Sequence, residues 1–176
     1  ISHKLLRGVN FPSTLLTLEF GIAFNQSLEG VTLPSNLKKL IFSTKFNQSL
    51  EGIELPHNLE TLEFGANFDQ SLDAVILPDK MQTLSFGDEF NHSLENVNLP
   101  SCLHTLKFGY RFNQNLAGVQ LPSSLQTLSF GKVIGDFNQS LVGVCFPRNL
   151  RNLTFGSKFN QSLEGIELPD YLETLC

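Results

Sequence analysis

No run of apolar residues in this chain approaches the roughly 18 that a membrane-spanning helix needs, and its first residues carry neither the charged nor the apolar region of a signal peptide. No span is therefore expected. Positive charge is also sparse: 12 Lys and Arg against 17 Asp and Glu leave a net charge of −5, and no basic cluster could follow a phosphate backbone. Nucleic acid is not an expected partner. There is no phosphate loop, Cys-x-x-Cys, His-Glu-x-x-His or Gly-x-Ser-x-Gly motif, and His3, His57, His92 and His104 are scattered over unrelated positions. No catalytic residue, cofactor or metal is expected. The three cysteines, Cys102, Cys145 and Cys176, have neither the spacing of a disulfide framework nor that of a metal site. Free thiols fit a reducing intracellular compartment.

What the chain has is repetition. Its eight prolines, Pro12, Pro34, Pro56, Pro78, Pro100, Pro122, Pro147 and Pro169, fall 22 residues apart, with a single step of 25. A fixed period of this size means stacked repeats, so residues 1–176 read as one array, with coils starting near Leu6, Leu28, Leu50, Leu72, Leu94, Leu116, Leu141 and Leu163. Each copy contains Leu-x-x-Leu-x-Leu twice, as in Leu28, Val31, Leu33 and Leu37, Leu40, Phe42. The alternation predicts two short strands per coil, and the proline inside every period disfavours helix. An all-β, parallel β-solenoid of about eight 22-residue coils with little or no helix follows. No polar cap precedes Leu6, and the last coil stops at Cys176, one residue before its phenylalanine is due. A piece of a longer chain is expected, or ends covered by neighbouring subunits.

All sixteen phenylalanines fit the repeat. One column contains Phe42, Phe64, Phe86 and Phe108, and a second contains Phe46, Phe68 and Phe90; stacked at ~4.8 Å they form ladders through the core. The residue after the second phenylalanine is Asn47, Asn91 or Asn113 in most coils, and Asp69 in one. An inward-turned amide there can bridge consecutive coils, and Asp69, which only accepts when ionised, should interrupt the ladder. Five of the six Asn-x-Ser/Thr sequences belong to this column, which makes them by-products of the repeat rather than sugar sites. Glycine after the strand phenylalanine, as at Gly65 and Gly87, suggests a corner of positive φ. The second glycine column, at Gly30 and Gly52, tolerates Ala74 and Asn96 and suggests crowding instead.

The string Leu-Pro-x-x-Leu-x-x-Leu-x-Phe-Gly-x-x-Phe-Asn-Gln, at Leu99–Gln114 and, with Asp69 in the asparagine place, at Leu55–Gln70, resembles the FNIP repeat, a leucine-rich-repeat relative. It departs in carrying serine or asparagine after Asn-Gln, where that repeat usually has proline. The doubled Leu-x-x-Leu-x-Leu is also similar to short bacterial leucine-rich repeats with strands on both faces. The resemblance implies an LRR-like, right-handed solenoid and a protein-interaction role, and it brings no catalytic residues with it.

Specificity is left to the positions that vary. One stripe runs Glu29, Glu51, Asp73 and Glu95, where like charges ~5 Å apart would welcome a basic partner. A threonine column, Thr17, Thr61, Thr83, Thr105, Thr127 and Thr174, is broken by Lys39 and Asn152. The one break in the period, around Lys132, Val133, Ile134 and Asp136, lengthens a corner by three residues and offers an apolar tip. A non-enzymatic scaffold binding other proteins is the first reading. An architectural segment of a larger assembly is the second, and an ice- or carbohydrate-binding solenoid the third.

Overall fold

Tight turns at three places in the period close most of the coils. In the coil that starts at Leu28, the Val31 N–H donates to the Leu28 carbonyl at 2.9 Å, Leu37 to Pro34 at 3.0 Å and Phe46 to Ser43 at 3.2 Å. Proline suits the first position of the second turn because only its carbonyl is used there. The computed structural model of the chain describes Leu6, residues 8–131 and residues 134–176.

Between the second and third turns lies one strand per coil. The strands are β1 (Thr17–Glu19), β2 (Lys39–Ile41), β3 (Thr61–Glu63), β4 (Thr83–Ser85), β5 (Thr105–Phe108), β6 (Thr127–Phe130), β7 (Asn152–Thr154) and β8 (Thr174–Leu175). They form a single parallel sheet in chain order, in a register that places Leu40 beside Leu62, Leu84 and Leu106. The described residues contain no helix, and hence none long and apolar enough to cross a membrane.

The helix-free parallel solenoid expected from the repeat is present, with one correction: a coil has one strand, not two. The first half of each period is consumed by the turns at Leu28–Val31 and Pro34–Leu37, which leave only Thr32 and Leu33 between them. No cross-coil backbone hydrogen bond joins these short segments among the described residues. Alternating leucines bury a side there without any ladder to make it strand.

Phenylalanine fills the interior. Phe64 and Phe86 stack with ring centroids 5.6 Å apart, Phe86 and Phe108 at 5.5 Å, Phe42 and Phe64 at 5.7 Å. The second column runs alongside, with Phe46 to Phe68 at 6.0 Å and Phe68 to Phe90 at 6.1 Å. Within a coil the two columns touch at 3.8 Å, as in Phe64 with Phe68. Rings on rungs ~4.8 Å apart must lie offset, the arrangement their quadrupoles favour. Pro34 and Pro56 are buried with them.

The two glycine columns have the opposite roles from those the sequence suggests. Gly30 and Gly52 have φ of 71°, the left-handed third position of the Leu28–Val31 and Leu50–Ile53 turns. Gly87 has no positive φ, but a Cβ there would lie 2.0 Å from the Gly65 carbonyl oxygen. Close stacking of corners, not chain reversal, requires glycine after the phenylalanine at Gly65, Gly87, Gly109 and Gly156, and only Gly131, at the inserted corner, has the expected positive φ.

Candidate interaction surface

The Asn-Gln side is the most regular surface. Asn25 Oδ1 accepts the Asn47 backbone N–H at 2.8 Å and the Gln48 side-chain amide at 3.0 Å, and Asn47 Oδ1 serves Asp69 and Gln70 in the same way, both at 2.9 Å. The pattern continues through Asn91 to Asn113 and Gln114. These side chains are not turned inward as expected: Asn47 and Asn113 are half-buried and Asn91 is exposed. Nor does Asp69 interrupt the ladder, since its Oδ1 accepts the Asn91 N–H at 3.1 Å. The column asks its residue only for an acceptor oxygen, and a carboxylate supplies one. In the coil above, His92 replaces glutamine and places its Nε2 3.1 Å from the Asp69 carbonyl oxygen.

A serine column that the sequence reading passed over holds the next corner. Ser27, Ser49, Ser71 and Ser93 accept, through Oγ, the N–H groups of Glu29, Glu51, Asp73 and Glu95 at 3.0, 3.0, 3.1 and 3.1 Å. Its signal was visible as a short polar residue two places before every acidic one. The acidic stripe is exposed along its length and lies at this corner, separated by the Asn-Gln-Ser side from the corner that contains the insertion. The structure does not bring the two candidate regions together. Among the described residues no group of three His, Cys, Asp or Glu side chains converges as a metal site.

On the sheet's outer face Thr61, Thr83, Thr105 and Thr127 stand in register. The parallel rank reads Glu63, Ser85, Lys107, Ser129 and Thr154, so the face is chemically mixed. Cations here are paired across coils: Lys38 with Glu60 at 2.7 Å, Lys39 with Glu63 at 3.3 Å, and Arg151 with Glu173. Lys107 is exposed and, among the described residues, has no such partner.

At the inserted corner the chain leaves and re-enters the stack without loss of register. Gly131 N–H donates to the Phe108 carbonyl at 2.9 Å, and Asp136 N–H to that of Tyr110 at 2.7 Å. Gly131 has a φ of 73°, and Gly135 packs where a Cβ would meet the Phe130 carbonyl oxygen at 2.6 Å. Ile134 between them is 61% exposed, whereas the candidates Lys132 and Val133 lie outside the described residues. Asp136 faces the next coil, 2.6 Å from Lys158 Nζ, which also sits 5.8 Å from the centre of the Tyr110 ring. Hydrogen bonding and charge from Asp136 hold the Lys158 ammonium above its ordinary range. The pair tethers the re-entry point.

The FNIP Repeat family model matches residues 24–65, 46–89, 90–133 and 137–176, nearly the whole array. The chain belongs to the FNIP repeat family. The FNIP coils are also similar to the crystal structure of CroV588, described as a novel circular LRR protein: 35% identity and a TM-score of 0.75, over 96% of this chain and 28% of that one. The array thus spans just over a quarter of that protein's length. No curated protein matches it.

Proposed function

We propose that this FNIP array is a non-enzymatic scaffold for protein-protein interaction and that the inserted corner belongs to its contact surface. The observation that carries the reading is Ile134: an isoleucine 61% exposed at the one departure from the period, on a corner anchored at both sides by Gly131, Gly135 and the Asp136–Lys158 pair. Apolar exposure on a rigid platform is the usual makeup of a contact point. The acidic stripe Glu29, Glu51, Asp73 and Glu95 is a second, separate candidate, suited to a basic partner. Affinity capture with the intact chain and with residues 132–134 deleted tests the corner. Loss of bound protein on deletion is expected, and undiminished recovery would remove the corner from the account.

A second reading has the array as an arc of a longer LRR-like solenoid whose role is architectural. Its support is the likeness to the circular LRR protein, of which the chain covers 28%. X-ray scattering on the isolated chain tests it: a soluble monomer with the dimensions of eight coils argues against obligatory burial in an assembly.

A further inference from the structure

Beside the inserted corner, on the edge where the sheet turns into the third bend, lies an open groove of about 710 Å³ whose lining includes Ser85, Lys107, Tyr110, Ser129 and Ile134. Two features set it apart from the rest of the sheet face. Lys107 is flanked in its rank by Ser85 and Ser129, so the carboxylate that pairs with the other cations of this face is missing from both neighbouring coils. Ile134 supplies an exposed apolar side chain in the same groove. A cation with hydroxyl neighbours and an apolar wall complement a ligand with one negative charge and one apolar group. We propose that the groove binds a short acidic-apolar segment of a partner protein, an Asp or Glu against Lys107 and an aliphatic side chain against Ile134 and Tyr110. Asp88 lines the groove two coils away from the insertion and disfavours an acidic residue at that end, while Glu89 is already paired with Arg111 at 3.2 Å. Charge thus sets the direction in which such a segment lies.

The proposal rests on the interaction reading above and names the chemistry of its partner. The probes are fluorescein-labelled nine-residue peptides of alanine and serine with a central Asp-Leu, Lys-Leu or Asp-Ser, titrated by anisotropy against the whole chain. Asp-Leu should bind about tenfold more tightly than Lys-Leu, and K107E should invert that order. I134S should lower Asp-Leu binding to the level of Asp-Ser while leaving the charge preference in place. Lys107 projects from the sheet, so K107E should leave the fold intact, which circular dichroism checks. Failure of every peptide to bind, equal binding of Asp-Leu and Lys-Leu, or an order unchanged by K107E overturns the proposal. The two readings fail separately: capture that survives deletion of residues 132–134 sinks the corner, and a missing charge preference sinks the groove chemistry.

Discussion

His92 Nε2 lies 3.2 Å from the Asp69 carboxylate, so the two departures from the Asn-Gln pattern face each other across one coil boundary. Asp69 keeps the acceptor role of the column toward the Asn91 N–H, and His92 takes the place that Gln114 occupies one coil later. The exceptions act as a pair. The double variant D69N/H92Q, which restores the common sequence, should lie within about 0.5 kcal/mol of the parent in urea unfolding. D69A removes the acceptor and should cost about 1 kcal/mol, toward the low end for a lost hydrogen bond because Asn91 can reach water.

The phenylalanine ladder should be far more sensitive. Phe68 is fully buried and stacks on Phe46, Phe64 and Phe90. F68A opens a cavity between rungs and should cost about 3–5 kcal/mol, read as a lowered midpoint in urea. F68L should cost less, because it keeps most of the volume and loses the stacking.

The two glycine columns predict different failures. In G87A the new methyl group would meet the Gly65 carbonyl oxygen and carbon at 2.0 and 2.3 Å, which neither backbone can relieve without separating the coils. In G52A nothing lies within 4 Å, and the cost is the left-handed φ of 71° alone, about 1–2 kcal/mol. G87A should therefore be the more destabilised in thermal unfolding, and equal losses would contradict the stacking argument.

Lys158 offers a pH test. Asp136 raises the Lys158 pKa above 10.5, so the lysine's side of the pairing is fully charged below pH 10.5 and is lost as pH rises through the higher folded value. NMR titration of the lysine should show it deprotonating later than an ordinary lysine, and D136N should bring it back toward 10.5.

Much of this was legible in residue spacing. A leucine or phenylalanine recurring every 22 residues has to meet its own copy in a stack, so the pairing of Phe64 with Phe86 and the strand register follow from counting. The three-residue excess before Phe137 likewise marked the one corner that must bulge, and Ile134 is exposed there. Other features were misjudged because identical patterns serve different geometries. Leu28, Val31 and Leu33 have the same apolar spacing as Leu37, Leu40 and Phe42, yet turns at both ends leave the first set without a ladder.

Sequence alone settled that the coils stack, that the phenylalanine columns face inward and where the period breaks, since a linear repeat imposes all three on any chain that winds regularly. Only the tertiary structure decided why Gly30 and Gly87 are both glycine, that Asp69 can stand in for asparagine, and that Lys107 shares a groove with Ile134. Each of these depends on the distance and angle between one winding and the next, and those are set by the hydrogen-bonded strand ladder and the carbonyl contacts between corners rather than by the order of residues.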